Sequence, residues 1–131
     1  MSLTHSVMVA NDRAGVHMSW AMICEQLGHY NDALAAYETS LRIEPNITGA
    51  RTNLAALLEG LSQNQPPERA QAMQQRAAAL RQEELPLLAR DAQLAADNAG
   101  VQYRYGLALY LSGNLTEAKS QLEKAVALAP N

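Results

Sequence analysis

Apolar residues recur at helical spacing over most of the chain, and turn-forming residues interrupt them at intervals. Leu54, Leu57 and Leu58, for example, lie three or four positions apart and define one apolar face. Such spacing predicts amphipathic α-helices. Gly28, the stretch SQNQPP and Gly113 mark breaks between them. The predicted helices are 14–27, 31–43, 48–61, 68–96, 99–111 and 116–128, and Asp12 or Asn11 is the expected N-cap of the first.

Two of these helices belong to segments that share the same residues at their starts and ends. GHYNDALAAYETSLRIEPN and GNLTEAKSQLEKAVALAPN both place Gly first, Ala sixth, Glu eleventh and Pro-Asn last. Pro130 follows Pro45 by 85 positions. Recurrence at a fixed offset is typical of an array of helical hairpins, in which each unit buries its second face against a neighbour.

The residues before and after each turn resemble the tetratricopeptide repeat, whose pattern is W-x2-L-G-x2-Y, then A-x3-F, then P. The first copy has His17, Trp20, Ala21, Cys24, Ala33, Tyr37 and Pro45 at these places. The last copy has Gln102, Tyr105, Gly106, Leu109, Ala118, Leu122 and Pro130. His17 and Gln102 depart from the leading Trp. The resemblance implies an all-α, tetratricopeptide-like α-solenoid of antiparallel hairpins, and small residues such as Ala21 facing Ala33 allow close helix approach.

The middle unit is longer than the family pattern. Two repeats of about 34 residues would separate the prolines by about 68 positions, so the observed 85 leaves an excess between about Leu61 and Asn98. An additional antiparallel helix would reverse the direction of the last hairpin. An extended second helix keeps the direction, and Pro86 is expected to bend it. One face of this helix is predicted to carry residues seven positions apart: Met73, Leu80, Leu87 and Leu94.

The predicted organisation is a flexible segment over 1–13 followed by one domain over 14–131. Its repeats are expected at about 14–47, 48–98 and 99–131. No polar capping helix follows the last repeat, and solenoid ends normally need one. We therefore expect either self-association or contact with other domains of a longer protein.

Composition and charge exclude several functions. The formal charge of −3 provides no basic field for nucleic acid, and no apolar run is long enough to cross a membrane. Cys24 has no partner for a disulfide and is predicted to lie on a buried helix face. The three histidines lack metal-ligand spacing. Glu83 and Glu84 are assigned to a solvated helix face, so no catalytic, cofactor or metal site is predicted.

In the family, the first helix of each hairpin lines a concave groove that holds peptide ligands. The resemblance places in this groove Met18, Met22, Asn53, Tyr103, Arg104, Leu107 and Tyr110. The lysines of a carboxylate-binding groove are absent, whereas Met and Tyr suit an apolar peptide or helix. The expected function is a non-enzymatic scaffold, typical of bacterial proteins, that binds a protein or peptide. The alternatives are an assembly segment of a larger protein, a self-association module and, least favoured, a small-molecule enzyme.

Overall fold

A computed structural model describes the backbone of residues 3–129 and the side chains of residues 13–129. Within these ranges the chain forms six α-helices and no strand, which confirms the predicted all-α fold. Pro130 and Asn131, which were predicted to close the last repeat, lie outside the described residues. The helices are α1 (Leu3–Gln26), α2 (Tyr30–Ile43), α3 (Ala50–Ser62), α4 (Pro67–Leu94), α5 (Ala99–Leu111) and α6 (Leu115–Leu128).

The first and last hairpins turn in the same way. Gly28 and Gly113 have φ angles of 79° and 85°, a left-handed conformation that favours glycine because it has no Cβ. The next residue in each turn then donates its N–H five positions back, His29 to Cys24 at 2.8 Å and Asn114 to Leu109 at 2.9 Å. This pattern satisfies the last carbonyls of α1 and α5. The recurrence seen in the sequence is therefore a recurrence of turn geometry.

Successive helices pack as hairpins, α1 with α2, α3 with α4 and α5 with α6, and the contacts α2–α3 and α4–α5 join them. This confirms the predicted solenoid of antiparallel hairpins. The main apolar core surrounds Tyr37, which is fully buried together with Ala21, Ala33 and Leu54. Cys24 is also buried, as predicted.

Helix α1 begins at Leu3 rather than at Ala14, so the predicted helix start with Asn11 or Asp12 as its cap is wrong. The physical reason is that no Gly or Pro lies between Leu3 and Arg13 to break a helix. Asn and Asp lower helix propensity by less than about 0.7 kcal/mol each, which is too little to stop one. The predicted flexibility of residues 1–13 stays a prediction.

Helix α4 is continuous through Pro86, so the predicted extension of the middle hairpin is confirmed. The predicted heptad face is confirmed for Met73, Leu80 and Leu87, which are buried or half-buried, and wrong for Leu94, which is 79% exposed. An α-helix drifts by about 20° per heptad, which rotates Leu94 by about 60° from Met73. The face that is buried follows the helical period instead: Ala77, Leu80, Glu84, Leu88 and Ala92.

Candidate functional site

A cavity of about 200 Å³ lies between α3 and α5. Both helices pack against α4 but make little direct contact with each other, because the long α4 spans the distance between them. α4 lines the cavity with Glu84 and Leu88. The start of α3 and one face of α5 provide the other walls, which consist of Thr48, Gly49, Thr52 and Asn53, and of Arg104, Leu107, Ala108 and Leu111.

Glu84 is completely buried in this cavity and holds α4 against the N-terminus of α3. Its Oε2 accepts hydrogen bonds from the Gly49 N–H at 3.0 Å, the Thr52 N–H at 3.3 Å and the Thr52 hydroxyl at 3.0 Å. Gly49 is the N-cap of α3 and has no side chain to satisfy these donors. A carboxylate there also lies at the positive end of the helix dipole. Glu84 is thus an N-cap supplied by a neighbouring helix.

The second carboxylate oxygen of Glu84 has no hydrogen-bond partner among the described residues, although it is buried. An unpartnered buried acceptor of a charged group is costly, which makes this atom the least satisfied polar group of the cavity. The assignment of Glu84 to a solvated face is therefore wrong. Only Glu83 is exposed there. Glu84 lies four residues after Leu80 and four before Leu88, so the helical period places it on the buried stripe.

Two ion pairs flank Glu84 on the α3–α4 interface. Arg51 of α3 contacts Glu83 of α4 at 3.3 Å, and Arg81 of α4 pairs with Glu59 of α3. Both arginines are largely covered while their partners are exposed, so each pair is partly screened by solvent. They lie on either side of Glu84 along the α3–α4 interface and are consistent with the register that places it there.

The opposite wall of the cavity is held by Gln102 of α5. Its side-chain amide donates to the carbonyls of Ala92 at 2.8 Å and of Ala95 at 3.3 Å, at the C-terminal end of α4. Gln121 of α6 donates in turn to the Gln102 side-chain oxygen. Gln102 occupies the place where the repeat pattern has Trp. Its departure from the pattern is explained by this role as a cap for the long helix.

The structure divides the predicted groove residues among several surfaces. Asn53, Arg104 and Leu107 line the cavity together. Tyr103 and Tyr110 lie on another face of α5, beside α6. Met18 is half-buried and packs against the main core, with its sulfur 3.7 Å from where a Cβ on Gly49 would lie. Met22 is 46% exposed on α1. It lines neither the cavity nor the surfaces beside α6 that contain Tyr103 and Tyr110.

Tyr37 connects the cavity wall to the main core. Its hydroxyl donates to Glu25 Oε2 at 3.0 Å. Burial, reinforced by this hydrogen bond and by the negative charge of Glu25, raises the pKa of the Tyr37 phenol far above its ordinary value. The nearby Asn53 side chain acts in the opposite direction. Asn53 therefore lies close to Tyr37 as well as lining the cavity.

Comparison with known protein families matches the tetratricopeptide repeat over residues 14–47 and 99–131. These segments make up just over half of the chain. The chain belongs to the tetratricopeptide repeat family. The comparison with curated proteins found no match.

The two tetratricopeptide segments contain the first and last hairpins, and the residues between them, 48–98, contain the extended middle hairpin. Glu84 therefore lies outside the family pattern, whereas Arg104 and Leu107 lie within it. Tetratricopeptide repeats generally mediate contacts between proteins. In the part of the chain that the structure describes, no His, Cys, Asp and Glu side chains group as metal ligands do, and no helix is long and apolar enough to cross a membrane.

Proposed function

We propose that this tetratricopeptide protein is a non-enzymatic scaffold that binds a segment of a partner protein across the cavity between α3 and α5. The observation that carries the proposal is that Asn53, Arg104 and Leu107, from two different hairpins, meet there around an apolar hollow. Arg104 is exposed and forms no ion pair among the described residues, so its guanidinium is free to contact a ligand. Apolar walls with a few convergent polar groups are typical of binding sites.

The volume of the cavity favours a polypeptide over a small-molecule substrate. Sites for whole small molecules measure roughly 300–1,000 Å³, whereas this cavity measures about 200 Å³. It has room for one anchoring side chain of a longer ligand that continues over the surface. Glu84 and Arg104 are the only ionisable groups that line it, and they provide no acid–base pair with a nucleophile.

A peptide library tests this proposal. The chain is used to select binders from random twelve-residue peptides, and the selected peptides are titrated into the ¹⁵N-labelled protein. The proposal predicts amide shift changes concentrated around Thr52, Arg104 and Leu107. Shift changes confined to α1, or to the surface between Tyr110 and Val126, would overturn it.

A second function, self-association or contact with another domain, is supported by apolar surface at both ends of the solenoid. On α1 and at the turn residue that follows it, the exposed residues Val16, Trp20, Ile23 and Leu27 follow helical spacing, and Trp20 is 56% exposed. At the other end Leu115 and Val126 are exposed on α6. Surfaces of this kind mark interfaces more often than free surface. Light scattering of Trp20→Glu and Val126→Glu variants tests it: both are expected to reduce the apparent mass if ends pair with ends, and a monomeric wild-type chain at high concentration would contradict it.

A further inference from the structure

We propose that copies of this chain associate head to tail, so that the first helix of one copy packs on the last helix of the next. The surface on α1, the outer stripe, consists of Val16, Trp20, Ile23 and, at the turn that follows, Leu27. The surface on α6, the end face, consists of Leu115, Leu122 and Val126, with Tyr110 of α5 beside them. This inference rests on the second function proposed above and specifies which surface each end contacts.

The middle hairpin shows what covers the places of the outer stripe. Its counterparts in α3, each 34 positions later in the chain, are Ala50, Leu54, Leu57 and Leu61. The first three are buried and Leu61 is half-buried. Leu57 and Leu61 line one hollow together with Tyr30 of α2. Leu54 belongs to the core cluster that contains Tyr37. These places of α3 therefore face the preceding hairpin.

The last hairpin repeats this arrangement. The counterparts of the outer stripe in α5, each 85 positions later, are Val101, Tyr105, Ala108 and Ser112. All four are half-buried, and α5 packs on α4 of the preceding hairpin. In α1 the same places are 56–67% exposed, and the described residues form no hairpin before α1. The outer stripe is therefore a surface of the kind that packs on a preceding hairpin.

The end face is likewise equivalent to a surface that is covered inside the chain. Counting back 85 positions from Leu115, Leu122 and Val126 gives Tyr30, Tyr37 and Leu41 of α2. Tyr37 is fully buried, and Leu41 packs against the same core, to which Leu54 of α3 also belongs. Val126, at the place of Leu41, is 74% exposed. The outer stripe and the end face thus correspond to the two sides of one contact, α3 on α2, which the chain already forms.

Residue sizes favour a second copy of the chain as the occupant of the end face. In the internal contact Leu54 and Tyr37 are both fully buried in one cluster. Between copies the corresponding residues are Trp20 and Leu122, so the larger side chain changes sides and a smaller one faces it. Packed surfaces tolerate exchanges that conserve the total volume better than other exchanges. An unrelated helix need not carry a large residue at the place of Trp20.

Head-to-tail contact joins two different surfaces, so a pair of chains keeps one outer stripe and one end face free. Such heterologous association continues through further copies, or closes as a ring, instead of stopping at a dimer. The mass of the wild-type protein should accordingly rise with concentration beyond that of two chains. No residue of either surface lines the cavity between α3 and α5, so association and peptide binding are tested separately.

Two variants that each block one surface test the proposal. Trp20→Glu places a carboxylate in the outer stripe and Val126→Glu places one in the end face, where burying an unpaired charge is costly. Each variant alone is expected to be monomeric in sedimentation velocity. An equimolar mixture should form a complex of two chains, because the intact stripe of one variant meets the intact face of the other. Leu94→Glu, at a place that is 79% exposed and belongs to neither surface, is the matched control and should associate like the wild type.

The outcomes separate this inference from self-association in general. Association of Val126→Glu alone would show that stripe pairs with stripe, and association of Trp20→Glu alone would show that face pairs with face. Either result, or a mixture that stays monomeric while the wild type associates, would overturn the head-to-tail arrangement and leave self-association intact. A wild-type chain that stays monomeric at millimolar concentration would overturn both. Circular dichroism checks that all three variants fold.

Discussion

The first and last hairpins share their length and their turn, but they bury different chemistry at corresponding positions. In the first hairpin Ala21 packs in a core around Tyr37, which is fully buried. In the last, Gly106 takes the place of Ala21 and the half-buried Leu122 that of Tyr37, and a Cβ on Gly106 would lie 2.7 Å from Leu122 Cδ2. A common pattern of small residues therefore fixes the approach of two helices without fixing how much apolar surface they bury.

The contacts between neighbouring hairpins differ in the same way. α2 meets α3 through the apolar cluster that contains Tyr37 and Leu54. α4 meets α5 through the amide of Gln102 and the carbonyls at the end of α4. The N-terminal part of the solenoid is thus stabilised mainly by apolar burial, and the C-terminal part depends more on directional hydrogen bonds, which contribute about 0.5–1.5 kcal/mol each.

The largest expected effect comes from removing Tyr37. Tyr37→Ala should lower the free energy of unfolding by about 3–5 kcal/mol, because it empties a fully buried aromatic site. Leu122→Ala, the matched change in the last hairpin, should cost only about 1–2 kcal/mol because Leu122 is half-buried. Urea denaturation measures both. Equal losses would refute the asymmetry between the hairpins.

The next largest loss of stability is expected at Glu84, which caps the N-terminus of α3. Glu84→Leu should cost about 3 kcal/mol, since it removes three hydrogen bonds and leaves the Gly49 and Thr52 N–H groups without their acceptor. The control is Glu83→Leu at the neighbouring position, which loses only the partly exposed pair with Arg51 and should cost less than about 1 kcal/mol. A Glu84 variant as stable as the Glu83 variant would show that the cap of α3 does not form.

A third experiment tests the close contact between Gly106 and Leu122. Gly106→Ala gains about 1 kcal/mol of helix propensity but forces Leu122 to move, at a cost of about 1–3 kcal/mol. We expect a net loss of about 1 kcal/mol. In the Leu122→Ala background the contact is absent, so the same change should instead stabilise the chain. Thermal unfolding of the four proteins completes the cycle, and additive effects would contradict the close packing.

The last expected effect is a gradual pH dependence that arises from Tyr37 in the first hairpin. The pKa of Tyr37 is raised on folding, so the stability it contributes is complete below its unfolded pKa of 10.0 and declines as the pH rises above that value. The loss should not exceed about 1.4 kcal/mol per pH unit. Tyr37→Phe should remove this part of the alkaline slope in the free energy of unfolding. An unchanged slope would place the titration elsewhere.

Helix spacing, turn glycines and the recurrence of Pro45 and Pro130 were sufficient to predict the hairpins and the continuous α4. Its residue type alone assigns Glu84 to a solvated face, whereas its position between Leu80 and Leu88 places it on the buried face of α4. Gly49 offered a further signal, since a helix start without a capping side chain needs an acceptor from elsewhere. Tyr103 and Tyr110 lie seven positions apart and share one face of α5, and the helical period turns Arg104 by about 100° from Tyr103. Leu107 lies between these two directions, so the period alone does not assign it to the cavity.

The placement of the cavity could not be predicted, because it depends on where α4 and α5 cross. That crossing results from tertiary contacts such as Gln102 with Ala92, which no local pattern encodes. The start of α1 was misplaced for the opposite reason. Asn11 and Asp12 are local cap signals, but no helix-breaking residue precedes them, so the helix continues through both.

We propose above all that the long α4 holds α3 and α5 apart and so leaves a cavity for a partner protein. The most direct test of this proposal is the Kd of one library-selected peptide for three proteins: wild type, Leu107→Asp in the cavity wall, and Val126→Asp on the distant α6 surface. We expect Leu107→Asp to weaken binding by at least about tenfold, or about 1.4 kcal/mol, and Val126→Asp to leave the Kd unchanged. Unchanged binding by Leu107→Asp together with a loss in Val126→Asp would contradict the account.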